Sequence, residues 1–218
     1  MEKPLYPSPY MRITQGYGVG THKNSFAIDD GGSDSGIDFI LAPFTGVIKK
    51  IYPNDANEVW LESVDKVEYP DGTIDYMTML FAHDNDVSNL KVGQVIPRGT
   101  RFYEEGTKGN VTGNHVHMEC GKGKFNGSGW HKNESGYWSI NNPKNPVDCL
   151  WIDDSIKVLN SNGYTFKKIE SIKEETKKEE VTDNQNNTST RKIELVFTCK
   201  ENGLYAIELK ENEKLYIE

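Results

Sequence analysis

No stretch before Ile152 carries a convincing helical period. Short apolar runs recur instead, each closed by glycine, proline, aspartate or asparagine. Arg12–Tyr17 and Phe26–Asp29 read as short strands, the second ending at a carboxylate and the Gly31-Gly32 turn. Ile37–Phe44 is extended and apolar, and Val47–Tyr52 and Glu58–Ser63 follow as strands. Asp71-Gly72 is a hairpin signal between Val64–Tyr69 and Ile74–Phe81. Val95-Ile96 and Phe102-Tyr103 add two more short strands. Many short strands with regular turn signals predict a mainly β, sandwich-like antiparallel fold.

Aromatic residues are plentiful up to Phe166 and then absent until Phe197. The gap divides the chain into three parts. Residues 1–165 hold the packed domain. Residues 166–191 form a polar linker, in which the Lys/Glu run Glu170–Val181 can form a solvated helix. Residues 192–218 return to alternation around Asn202-Gly203 and Glu211-Asn212, as a three-strand meander too small to be stable alone. It is expected to dock, to support an oligomer, or to be what remains of a larger module.

The 218 residues carry a formal net charge of −8, with no basic run interleaved with aromatics. That argues against nucleic-acid binding. Cys120, Cys149 and Cys199 are far apart, odd in number and without a C-x-x-C, so neither a disulfide framework nor a cysteine zinc knuckle is expected. No apolar run is long enough to cross a bilayer, so no membrane insertion is expected. The N-terminus lacks the apolar core of a signal peptide.

Chemistry concentrates at Gly113-Asn114-His115-Val116-His117-Met118-Glu119. Two of the chain's five histidines sit there one residue apart. On a strand both imidazoles project to one side, and Cys120 falls on the opposite, core-facing side. Paired imidazoles suit a metal ion, one coordinating while the other handles a proton. His22, Asp29 and His83 are the other candidates, each at a strand end or turn. Three of the five side chains could hold one zinc ion and leave its fourth position to water. The aromatic segment Asn126–Asn142, with Trp130, Tyr137 and Trp138, has the length of a loop that packs over a site. His131 within it reads as a surface residue.

Over Gln15–Lys124 the chain resembles the LytM/lysostaphin-type zinc endopeptidases. The likeness is carried by His22…Asp29, Leu80-Phe81-Ala82-His83, Leu90–Gly99 and Thr112-Gly113-Asn114-His115-Val116-His117-Met118-Glu119. It implies that His22, Asp29 and His117 bind one zinc ion, and that His83 and His115 form the catalytic pair. It implies hydrolysis of peptide cross-links in bacterial peptidoglycan, either glycyl-glycine or D-alanyl-diaminopimelate. Which of His83 and His115 is the base stays open.

The His22…Asp29 gap is wider than the family's usual H-x-x-x-D, and Asp30 and Asp38 compete for the ligand position. Gly36-Ile37-Asp38-Phe39 even imitates the usual flank. Register favours the earlier strand. Ala42-Pro43-Phe44-Thr45-Gly46-Val47 fills the element that follows the strand after the ligand, so that strand is Ile37–Leu41 and the ligand lies before it. Asp29 is preferred over Asp30 because alternation points it away from Phe26 and Ile28, which read as core side chains. Glu119 shares the His117 face and is either a partner of that imidazole or a solvent-exposed carboxylate.

The expected setting is a phage or prophage lysin, held in the host cytoplasm before release to the wall, or carried on the virion. The alternatives are a phage tail or assembly protein with an accessory peptidase, and a non-catalytic wall-binding member.

Overall fold

The computed structural model describes residues 1–53 and 55–169. The chain divides into two compact units, Met1–Lys173 and Glu174–Glu218. The Lys/Glu run and the 192–218 meander lie outside the described residues.

The described part is mainly β. Its first strands are β1 (Tyr10–Gln15), β2 (Ile28–Asp30), β3 (Phe39–Leu41), β4 (Gly46–Tyr52), β5 (Glu58–Ser63) and β6 (Val67–Glu68). β7 (Ile74–Asp75), β8 (Met77–Ala82), β9 (Val95–Ile96), β10 (Arg101–Glu104) and β11 (Val116–Lys122) follow. The last are β12 (Trp130–Lys132), β13 (Trp138–Ile140), β14 (Pro143–Lys144), β15 (Trp151–Ile152), β16 (Lys157–Asn160) and β17 (Lys167–Lys168). The only helical elements among the described residues are 3-10 turns at Gly20–His22 and Pro146–Asp148.

A nine-stranded sheet runs β16-β1-β2-β11-β8-β5-β4-β9, with β14 also on β11. Every pairing in it is antiparallel except β1 with β16. The Asp71-Gly72 turn joins the two-residue strands β6 and β7, with Gly72 at φ +85°. The run expected as one strand over Ile74–Phe81 is broken at Tyr76.

The sheet is packed on both faces, which explains why β8 reads as a continuous apolar run. Its main face sends Val59, Leu61, Met79, Phe81, Met118 and Cys120 into one core with Phe44, Ile48 and Tyr103. Each such burial contributes roughly 1.5–3 kcal/mol. The other face carries a smaller cluster of Trp60, Leu80 and Ile140, closed by Trp130 of the β12–β13 hairpin. Asn126–Asn142, expected as a loop, is thus largely a hairpin. It lies over Trp60 and Leu80 and reaches Glu119 of β11 through Ser139 and Ile140.

Cys120 and Cys149 are free and buried. Phe166 is buried against Tyr6, with ring centroids 5.3 Å apart. Among the described residues no helix is long and apolar enough to cross a membrane.

Candidate metal centre

Strand register brings three neighbouring strands' chemistry to one level. On β11, His117 stands opposite Asp29 of β2 on one side and Ala82 of β8 on the other. Val116, Met118 and Cys120 point into the core, so His117 and Glu119 emerge on the opposite face. His115 precedes the strand and bridges to Gly106. His83 comes one residue after β8 ends.

Three imidazoles converge on a single carboxylate oxygen. Oδ1 of Asp29 lies 3.0 Å from His117 Nδ1, 3.3 Å from His22 Nε2 and 3.8 Å from His115 Nε2. One donor atom each from His22, Asp29 and His117 lies within 4.8 Å of the others. Burial pushes the Asp29 carboxyl upward, but its bonds with His117 and His22 prevail and hold it well below the usual carboxylate range.

The second nitrogen of each ring fixes its orientation. Nδ1 of His22 meets the Gly16 carbonyl at 3.2 Å, that of His83 meets Lys108 O at 2.8 Å, and that of His115 meets Gly113 O at 2.9 Å. A carbonyl only accepts, so each Nδ1 is a donor and each Nε2 is the nitrogen turned toward the cluster, the one that can offer a lone pair to a metal or a proton. His117 is turned the other way, with Nε2 at 3.2 Å from Glu119 Oε1. Glu119 is buried, and its other oxygen accepts from Ser139 Oγ at 2.6 Å and Ile140 N at 2.8 Å. It is therefore a partner of His117, and the solvent-exposed alternative is set aside. Burial would lower the His117 imidazole, but Asp29 and Glu119 raise it to about 10.

His83 and His115 stand beside the cluster with ring centroids 4.7 Å apart. Burial, with the neighbouring His117 charge, pulls His83 down to about 4, so it is neutral near pH 7. Its backbone is held at φ +91°, a region costly for a residue with a Cβ. The chain secures it by accepting His83 N–H at Ala56 O (2.7 Å) and donating Lys108 N–H to His83 O (3.1 Å). Gly106 makes room, since a Cβ there would sit 2.1 Å from the His83 carbonyl. No residue pattern in this stretch announces that role for Gly106.

The competing aspartates are occupied elsewhere. Asp30 is fully buried and accepts from Tyr6 OH, from Arg12 N at 3.1 Å and from Gly32 N at 2.8 Å. Asp38 accepts from Ser33 N at 2.5 Å and Ser33 Oγ at 2.7 Å. Phe26, read as a core residue, is 42% exposed and packs on Tyr17, because β2 starts only at Ile28. His131 sits on β12, outside the cluster.

The donor set fits zinc. Zinc takes imidazole and carboxylate ligands at about 2.0–2.2 Å in tetrahedral array, which sets ligand atoms about 3.3 Å apart. The separations of 3.0 and 3.3 Å from Asp29 match. The carboxylate and carbonyl behind the two imidazoles are the usual supports of metal-binding histidines.

No protein-family model matches the chain. It is 26% identical over 165 residues to "Morphogenesis protein 1" of Bacillus phage B103, covering 74% of this chain and 43% of that protein. The chain thus spans less than half the length of that relative. Among solved structures it is similar to a zinc-containing peptidase from Vibrio cholerae (19% identity, TM-score 0.42, 56% of this chain and 37% of that one). It is also similar to the catalytic domain of lysostaphin from Staphylococcus simulans (17%, 0.40, 62% and 86%). A third likeness is to the catalytic domain of a prophage-encoded M23 protein from Enterococcus faecalis (21%, 0.39, 57% and 90%). Within this mainly β fold the His–Asp–His cluster offers a donor set that can hold a metal ion.

Proposed function

We propose that the chain is a zinc endopeptidase that hydrolyses peptide cross-links of bacterial peptidoglycan. The observation that carries this reading is the convergence of His22, Asp29 and His117 in zinc-binding geometry with two further imidazoles beside them. His22 Nε2, Asp29 Oδ1 and His117 Nδ1 would hold the ion. When bound, zinc supplies Lewis-acid polarisation of a substrate carbonyl and acidifies water. His83 Nε2 and His115 Nε2, both with lone pairs, can take the proton released as water attacks. The ring so protonated becomes a donor, able to stabilise an oxyanion or return the proton to the leaving amine. Glu119 holds His117 in the tautomer with Nε2 protonated, leaving Nδ1 free for the metal.

The test joins metal analysis with peptide cleavage. His22→Ala, Asp29→Ala and His117→Ala should purify with little zinc and little activity. His83→Ala and His115→Ala should keep close to one zinc per chain and lose about a hundred- to a thousandfold in turnover. Full zinc in His117→Ala would overturn the ligand set, and full turnover in both of the other two would overturn the catalytic pair.

A second reading concerns setting. The partial likeness to a phage morphogenesis protein favours a virion-associated or assembly-linked peptidase over a lysin freed from the host cytoplasm. Residues 166–191 and 192–218 would then act as linker and assembly or wall-binding appendage. Detection of the chain in purified virions supports this reading, and its absence there favours the released lysin.

A further inference from the structure

The loop after β2 is acidic, with Asp30, Asp34 and Asp38 set among Gly31, Gly32 and Gly36. Acidic loops are common without a ligand, but a carboxylate from another element enters this one. Glu105 follows β10 and is fully buried. Its Oε2 accepts from Asp38 N at 3.3 Å, while its Oε1 is shielded from water and has no hydrogen-bond partner among the described residues. A Cβ on Gly32 would fall within 2.5 Å of both Glu105 Oε1 and Asp38 Oδ2, so the glycine, at φ +54°, is what lets the two carboxylates converge. Their oxygens are no farther apart than two calcium–oxygen bonds of about 2.3–2.6 Å can span. Both Ser33 donors of Asp38 go to Oδ2, and Oδ1 has none among the described residues. Asp30 is buried beside them, and its charge acts on Glu105. Arg12 is near, but its guanidinium donates to Ser33 O and forms no ion pair with these three acids among the described residues.

A shielded carboxylate oxygen without a donor is costly, and facing carboxylates repel. A proton on Glu105 relieves one charge. A divalent cation, together with Arg12, balances all three. The converging donors are oxygens, with no imidazole or thiol among them, which selects a hard cation over zinc. Magnesium demands near-ideal octahedral geometry, whereas calcium accepts irregular carboxylate sets. We propose that Asp38 and Glu105, around Gly32, form a calcium site separate from the cluster of His22, Asp29 and His117, with loop carbonyls and water completing the shell. In the ion's absence the Glu105 oxygen takes a proton instead, because burial pushes that carboxyl up to about 8. The ion pins the loop leaving β2 to the residue before Gly106. Gly106 N–H donates to His115 O at 3.1 Å and accepts His115 N–H at 3.3 Å, and Asn114 Nδ2 donates to Ser35 O of the same loop at 2.8 Å. Calcium thus braces the strand carrying Asp29 against the segment carrying His115. None of this rests on the endopeptidase reading.

The test uses the full chain, loaded with zinc and dialysed free of excess, with Ca²⁺ itself as the probe at pH 7. Isothermal titration should show one Ca²⁺ per chain with Kd about 10⁻⁴–10⁻³ M, the range of sites with few carboxylates. At about 10 mM Ca²⁺ the Tm should rise by several degrees. Mg²⁺ should bind at least about tenfold more weakly. Glu105→Gln and Asp38→Asn, each checked for its fold by circular dichroism, should each weaken Ca²⁺ binding at least about tenfold. If one of them fails to fold, the other decides. Asp29→Asn should leave Ca²⁺ binding unchanged. The absence of saturable Ca²⁺ binding overturns the proposal and leaves Glu105 a protonated acid. Mg²⁺ binding as tight as that of Ca²⁺ overturns it too, as does Ca²⁺ binding that survives both acid variants. Binding lost in Asp29→Asn would place the ion at the histidine cluster and likewise overturn it.

Discussion

Asp29 and Asp30 are adjacent on β2 and meet opposite fates. Asp29 faces three imidazoles across the open side of the sheet and is held well below the usual carboxylate range. Asp30 faces the core, satisfies Tyr6, Arg12 and Gly32, and is driven by burial up to about 6 despite those donors. One residue along a strand turns a side chain through the sheet. The same functional group therefore serves as an imidazole-facing anion at one position and as a structural acceptor at the next. What a carboxylate does here is decided by what the neighbouring strands bring to its side of the sheet.

The pair can be broken by mutation. Asp29→Asn should abolish zinc retention and lower peptide cleavage about a thousandfold with the fold intact. Asp30→Ala should keep zinc but strand three donors, lowering stability by about 3 kcal/mol in denaturant unfolding. Zinc loss in a folded Asp30→Ala, with Asp29→Asn still loaded, would reverse the two roles.

A smaller effect is expected one step behind the metal. Glu119→Gln should weaken zinc affinity about ten- to a hundredfold, read by competition with a chelator. Unchanged affinity would mean that Glu119 serves Ser139 and Ile140 alone.

A dependence on pH sharpens the core side of the comparison. Glu105 is fully buried near Asp30, Asp38 and Arg12, and burial, aided by the Asp30 and Asp38 charges, pushes it up to about 8. A carboxyl whose pKa rises on folding binds its proton more tightly in the folded state. Its stabilising contribution is full below the unfolded value near 4.5 and is lost as pH climbs through about 8. Unfolding free energy should fall over that window with a slope of at most one proton, and Glu105→Gln should flatten it. An identical slope in the variant would assign the effect to other groups.

The split between site and core explains what could be read from the chain. The alternation around His117 placed His115, His117 and Glu119 on one face and Cys120 on the other, because a strand's period of two is written directly into the order of residues. That Asp29, and not Asp38, lies on the strand beside the histidines was also legible, since it depended on counting strands. The β12–β13 hairpin was half visible. An aromatic-rich segment pointed to cover over a site, but not to a hairpin seated on Trp60 and Leu80. Gly106 gave no warning. Its role depends on a contact across a long sequence distance, with His83, and no local pattern encodes such a meeting.

The rung joining Asp29, His117 and Ala82 also governs where this chain can tolerate insertions and deletions. Adding or losing one residue inside β2, β8 or β11 would exchange the site face for the core face along that strand, putting Met118 where His117 belongs. No partial version of the site survives such a slip. His22 arrives differently, on a short turn outside the strands, and only its end point must meet the cluster. The stretch between His22 and Ile28 is thus free to lengthen or shorten, whereas the single residue between His115 and His117 is not. The wide His22…Asp29 spacing is the tolerance this architecture allows, and length variation among related chains should gather in that turn and spare the strands on either side of the rung.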